Sequence, residues 1–205
     1  MLDNKDFDLW ADGYDKAVGL TYEEDKYPFA GYKEVLGNIY QTVMEKQHPR
    51  VLDFGFGTAT LTAKLYEQGC DIFGQDFSQR MIELASEKMP GAKLYQKDFS
   101  EGLAEPLLKQ QYDYIITTYA LHHLTDEQKV VFLRNLFTVL KDNGKILIGD
   151  VAFENRKLME QCSEEAGEEW DDEEHYFVVD EIKNHFPDIS FTQISHCAGI
   201  LTITR

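Results

Sequence analysis

Short runs of consecutive apolar residues alternate along this chain with longer stretches whose apolar positions recur at helical spacing. That alternation predicts a mostly parallel sheet with helices on both faces. The predicted strands are Arg50–Asp53, Asp71–Gln75, Ala92–Gln96, Tyr112–Thr117, Lys145–Val151, Ser190–His196 and Gly199–Thr204. Between them, Ala59–Gln68 carries Leu61 and Leu65 on one face and stops at Gly69, a natural helix-terminating residue. Ser78 predicts the N-cap of a helix through Lys88 that Pro90-Gly91 ends. Thr125 followed by Gln128 reads as a capping box, opening a helix through about Lys141 before Asn143-Gly144 breaks it. A last helix is expected over Val179–His185, ahead of Pro187. Only Cys197-Ala198-Gly199 joins the final two strands. A parallel crossover needs a dozen or more residues, so these strands must pair antiparallel or diverge.

At 205 residues the chain suits one domain with a sizeable core. The expected organisation is a helical cap over residues 1–48, a ligand-binding core over 49–150, and an acidic insert, helix and hairpin over 151–205. No run of eighteen apolar residues occurs, and the N-terminus Met1-Leu2-Asp3-Asn4-Lys5-Asp6 is too polar for a signal peptide. Cys70, Cys162 and Cys197 match neither a zinc spacing nor a disulfide framework, which favours reduced thiols and a cytoplasmic protein. The formal net charge of −17 repels a nucleic-acid backbone and leaves a small-molecule partner favoured, with no membrane role. No feature sets an oligomeric state. Residues 164–174 hold eight acidic residues and no basic one. They read either as a solvated loop or frayed helix, or as a lid over the substrate pocket anchored by Trp170.

The chemistry concentrates in Val51-Leu52-Asp53-Phe54-Gly55-Phe56-Gly57-Thr58-Ala59-Thr60. Glycines at alternate positions after a strand allow a tight turn and leave room for a ligand against main-chain N–H groups at a helix N-terminus. A dinucleotide loop usually has the spacing G-x-G-x-x-G, and here Thr60 stands at the third glycine. The Asp53 carboxylate repels phosphate and suits a cation or ammonium. The stretch resembles the glycine-rich loop of class I S-adenosylmethionine-dependent methyltransferases, in which an Ala or Gly often occupies the place of Ala59. The resemblance spans roughly residues 48–150. It implies a doubly wound α/β fold: a seven-stranded, mostly parallel Rossmann-like sheet with an antiparallel C-terminal strand. It also implies S-adenosylmethionine as cofactor, with Asp53, Gly55, Phe56 and Gly57 forming its loop.

Further positions match the family in turn. Asp76, in Phe73-Gly74-Gln75-Asp76-Phe77-Ser78, falls where an acidic residue accepts both ribose hydroxyls; an N-cap or turn Asp is the structural alternative. Phe77 and Met81 would sandwich the adenine, although Met81 fits the core equally well. Asp98 occupies the place of the adenine-amino acceptor, and the backbone N–H of Phe99 would meet the ring. Ligands in open α/β sheets sit beyond the carboxyl ends of strands, so Thr118, Tyr119 and one histidine of Ala120-Leu121-His122-His123 should face the pocket. His123 is expected there as base or orienter and His122 in packing or solvent, the reverse being almost as compatible with the pattern. Leu9-Trp10-Ala11-Asp12-Gly13-Tyr14-Asp15 resembles the entry helix of many such enzymes, which implies Tyr14 closing over the methionine end of the cofactor, and this block together with the rest of the chain resembles a small methyltransferase family of Gram-positive bacteria.

Absent motifs narrow the reaction. There is no Asn/Asp-Pro-Pro-Tyr/Phe segment for amine or amide nitrogens and no Pro-Cys nucleophile. No spaced His/Asp/Glu set implies a metal. The expected function is methyl transfer from S-adenosylmethionine to a small-molecule acceptor. The alternatives are a non-catalytic sensor of S-adenosylmethionine or S-adenosylhomocysteine and a nicotinamide oxidoreductase.

Overall fold

The computed structural model describes residues 26–205; Tyr14 and the rest of the entry segment lie outside them. The first helix among the described residues, α1 (Tyr32–Met44), precedes β1 (Arg50–Phe54), α2 (Thr60–Glu67), β2 (Asp71–Asp76), α3 (Gln79–Lys88) and β3 (Lys93–Gln96). A short α4 (Glu105–Leu108) leads into β4 (Tyr112–Thr118), α5 (Asp126–Leu136) and β5 (Leu140–Phe153). The chain closes with α6 (Arg156–Ala166), β6 (Phe177–Val178), α7 (Val179–Ile182), β7 (Ile189–Gln193) and β8 (Ala198–Thr204). Strand order is β3-β2-β1-β4-β5-β8-β7, with β6 pairing with β5 off this path. Strands β1 to β5 run parallel, while β8 is antiparallel to both β5 and β7. The fold is therefore the expected doubly wound α/β sheet, with the two-residue β6 added to the seven strands read from the sequence.

Successive residues of a strand point to opposite faces, and the core divides accordingly. Leu52, Phe54, Ile115, Ile146 and Ile148 pack on the face covered by α5 and α7. Val51, Ile116 and Leu147 pack on the other face, under Val35, Ile39 and Val43 of α1 and Leu61 and Leu65 of α2. Local capping matches the sequence. Ser78 accepts the Met81 N–H, and Thr125 and Gln128 form a reciprocal capping box.

Three expectations need correction. The helix after Thr125 ends at Leu136, not near Lys141, because Leu140 already pairs with Tyr112 as the start of β5. Asn143-Gly144 breaks no helix; it lies within β5, where the register with β4 shifts. The helix at Val179 stops at Ile182. The acidic stretch also has more structure than a solvated loop: α6 enters it under an Asn155 cap, and a 3-10 turn follows over Gly167–Glu169.

Candidate active site

The carboxyl ends of β1, β2 and β4 meet at one edge, and the glycine loop closes that edge. Gly55 and Gly57 adopt φ of 65° and 53°, and Ala59, at the N-cap of α2, also takes the left-handed conformation with φ 61°. A side chain at Gly55 would strike Ala120, since its Cβ would lie 2.7 Å from the Ala120 Cβ. A Cβ at Gly57 would enter open space, so there the loop presents bare backbone to a ligand.

Two buried carboxylates flank the loop. The Asp53 Oδ2 accepts the hydroxyl of Thr62 from α2, whereas its Oδ1 is buried without a hydrogen-bond partner among the described residues. Burial pushes this carboxyl up to about 7; the Thr62 bond opposes the rise and the nearby Asp76 charge adds to it. An orphaned anionic oxygen at a strand end is costly unless a cationic ligand completes it. Asp76 accepts the Gly57 N–H on Oδ2 at 3.0 Å and the Ser78 N–H on Oδ1 at 2.9 Å. A carboxylate offers about four lone-pair positions, so each oxygen retains capacity for a diol hydroxyl.

The remaining predicted residues divide. Thr118 ends β4 half-buried, and Tyr119 follows at φ 50° with its ring 5.1 Å from that of Tyr32 and 5.9 Å from that of Phe29. Phe77 is 66% exposed at the loop after β2, as a ring awaiting a stacking partner would be. Met81 is half-buried against the core. Phe56 and Phe99 are both buried in the core, so only their backbone can border a ligand; the Phe99 ring lies 5.6 Å from that of Phe132. Asp98 is exposed and caps the turn after β3 by accepting the Ser100 N–H at 2.8 Å.

A second polar group lies beyond β4, in the 3-10 turn Leu121–His123. Asp150, fully buried on β5, accepts the Leu121 and Val151 N–H groups and sits 2.6 Å from His122 Nδ1. The His122 Nε2 faces Glu174 Oε2 at 3.8 Å, and His123 Nδ1 lies 3.1 Å from Glu174 Oε1. Burial lowers the affinity of the His122 imidazole for a proton, but the Asp150 charge and hydrogen bond outweigh it, with Glu174 adding, and the net shift is upward. His122 is thus the enclosed member of the pair and His123 the exposed one, and the acidic segment brings a ligand-type side chain to both.

Sequence reasoning missed Asp150 and Glu174. Asp150 carried the same signature as Asp53 and Asp76, an acidic residue at the carboxyl end of a buried strand. Glu174 carried none, being one of eight acids in its segment. Trp170 does serve as that segment's anchor: its ring stacks on Tyr27 at 5.0 Å and meets Tyr176 edge-on at 4.9 Å.

Residues 51–144 match the family model described as a methyltransferase domain. An uncharacterized methyltransferase from Geobacillus sp. (strain WCH70) is 38% identical over 193 residues, covering 91% of this chain and 88% of its own. One from Bacillus subtilis (strain 168) is 34% identical over 188 residues, covering 88% and 85%. Among solved structures, magnesium protoporphyrin IX methyltransferase from Synechocystis PCC 6803 with bound S-adenosylhomocysteine shares the fold, with TM-score 0.66 and 16% identity over 85% of this chain and 84% of that one. An orphaned acid at the end of β1, a bare-backbone cradle beside it and an acid at the end of β2 suit a sulfonium-bearing amino-acid nucleoside. The chain belongs to the class I S-adenosylmethionine-dependent methyltransferases.

Proposed function

We propose that the methyl acceptor is a small molecule, received at the carboxyl edge of β4 and β5 beside the cofactor loop. Bound S-adenosylmethionine supplies a methyl carbon made electrophilic by its sulfonium, with a neutral thioether as leaving group. The protein's work is positional. Bringing nucleophile and methyl carbon into line at about 3–3.5 Å while excluding water can supply ~7–11 kcal/mol of the barrier.

In this reading Asp53 Oδ1 receives the ammonium of the methionine moiety and Asp76 the ribose diol. The Asp98 carboxylate turns from Ser100 toward the adenine amino group, the Phe99 N–H meets the ring, and Phe77 and Met81 border its two faces. Thr118 and Tyr119 wall the sulfonium, where an aromatic face attracts a cation. The role of base or orienter, expected at His123, falls to the linked pair His122 and His123, since Glu174 touches both and Asp150 fixes the inner ring. Tyr14 keeps its proposed place over the methionine end.

The observation that carries the reading is the unpartnered Oδ1 of Asp53 beside the open cradle at Gly57. The charge of −17 supports a small acceptor over nucleic acid, and three buried free thiols, with Cys70 pushed up to about 11 and Cys162 to about 12 by burial, fit a cytoplasmic setting. The test is incubation of the protein with isotopically labelled methyl donor and whole-cell extract, followed by mass spectrometry. A labelled product of low mass is expected. Label appearing on RNA or protein alone contradicts the acceptor class, and tight cofactor binding without turnover favours the sensor.

A further inference from the structure

We propose that His122, His123 and Glu174 form a three-ligand site for a divalent transition metal ion of the zinc or cobalt type. One ligand atom from each residue lies within 4.8 Å of the other two. His123 Nδ1 lies 3.1 Å from Glu174 Oε1 and His122 Nε2 lies 3.8 Å from Glu174 Oε2. With bonds of about 2.0–2.2 Å, neighbouring ligand atoms around tetrahedral zinc stand roughly 3.3 Å apart. Side-chain adjustments of up to about 1.5 Å would close the set from its present spacing.

Two features favour an ion over a simple hydrogen-bond network. The first is the outer partner of His122. Metal-bound histidines almost always donate their second ring N–H to a carboxylate or carbonyl, which fixes the tautomer and turns the other nitrogen toward the metal. The fully buried Asp150 sits 2.6 Å from His122 Nδ1, which leaves Nε2 on the side of Glu174. The second is Glu174 Oε2, which is buried and has no hydrogen-bond partner among the described residues. Nitrogen with carboxylate ligation suits zinc and its neighbours better than magnesium or calcium, which prefer oxygen throughout.

Access is built in. The His123 side chain is 59% exposed while His122 is 15% and Glu174 20%, so an ion would enter past His123 and keep an open position there. Three protein ligands with a fourth position free is the pattern of reactive rather than structural zinc. The consequence for the acceptor rests on the small-molecule reading above. A thiol or hydroxyl coordinated at the open position would release its proton to solvent and attack as the anion. The new bond to the methyl carbon would form as the carbon–sulfonium bond breaks, its electron pair leaving with the thioether.

The test uses the full, tag-free, metal-stripped chain titrated with Zn2+ by calorimetry and with Co2+ by visible absorption, each with and without S-adenosylhomocysteine. One ion per chain is expected, with a Co2+ spectrum showing nitrogen and oxygen ligation. His123→Ala and Glu174→Gln should each weaken binding by more than about tenfold, and Asp150→Asn by about 10–100-fold. Far-ultraviolet circular dichroism and a thermal melt matching the wild type report an intact fold in each variant. No uptake by the wild type, or equal uptake by wild type, His123→Ala and Glu174→Gln, overturns the site. Metal uptake without S-adenosylhomocysteine heat leaves the site standing and removes the cofactor reading; the converse result does the opposite.

Discussion

Gly55 and Ala120 touch across the seam between β1 and β4, so closely that the Cβ of an alanine at position 55 would lie 2.7 Å from the Ala120 Cβ. The cofactor loop and the histidine-bearing turn are therefore held in a fixed relation by the absence of one methyl group. Gly55→Ala adds the steric overlap to the cost of a non-glycine residue at φ 65°, about 1–2 kcal/mol for the backbone alone. A lower Tm and weakened S-adenosylhomocysteine binding are expected. Pairing it with Ala120→Gly should recover the steric part and leave the backbone part, which thermal melts of the four proteins in the cycle would resolve.

In the proposed reading Asp53 yields stability to ligand binding. Its carboxyl, pushed up to about 7 in the folded state, ionises near 3.9 when unfolded. Between those values the native state keeps a proton that the unfolded chain has released. The contribution of this group is thus fully present below about pH 4 and is lost as pH rises through about 7. Asp53→Asn, which can still accept the Thr62 hydroxyl, should raise Tm at pH 8 by about 2 °C or more and make little difference near pH 4. The same variant should bind cofactor more weakly. Melts across pH together with calorimetry check both; an unchanged Tm at pH 8 would show that the buried charge carries no penalty.

Asp113 makes the opposite case at the amino end of β4. It accepts the Arg50 N–H and pairs with Lys46 and Lys141, and these partners outweigh its burial to hold its carboxyl at about 2. Its contribution is present above about pH 4 and is lost as pH falls through about 2. Because Lys46 and Lys141 are 55% and 38% exposed, screening limits the stabilisation to about 1–2 kcal/mol. Asp113→Asn should lower Tm at pH 7 while leaving S-adenosylhomocysteine affinity unchanged, a separation readable in one calorimetric series.

Trp170 ties the acidic segment to Tyr27 and Tyr176. Complete burial of such a ring is worth about 3–5 kcal/mol on truncation, and its partial exposure reduces the expected loss for Trp170→Ala to about 1–3 kcal/mol. Protease cleavage within residues 164–174 should accelerate, and acceptor turnover should fall more than cofactor affinity. Cleavage at the wild-type rate would mean that other contacts secure the segment.

What the sequence disclosed follows from how far each signal reaches. Ser78, the Thr125–Gln128 box and the four-residue link 194–197 before β8 act within a few residues, and all three do what local rules expect. Asp53 and Asp76 were legible because strand ends collect functional acids, and Asp150 obeys that rule as well. Asn143-Gly144 misled because a turn-forming pair inside a long strand looks the same as a helix stop. Glu174 could not be read. It lies 51 residues beyond His123, and the His175 N–H, bonded to the His122 carbonyl, together with the docking of Trp170 holds it beside them.

Asp76 gives the most direct test of the whole account, since the proposed reading offers its carboxylate to the ribose and it already holds the glycine loop through the Gly57 N–H. S-adenosylhomocysteine titrated calorimetrically into the wild type should bind one molecule per chain. Asp76→Asn should weaken that binding by about 10–100-fold, the worth of hydrogen bonds to a charged group. Folded wild-type protein that gives no heat with S-adenosylhomocysteine or S-adenosylmethionine, or an Asp76→Asn variant that binds with undiminished affinity, would contradict it.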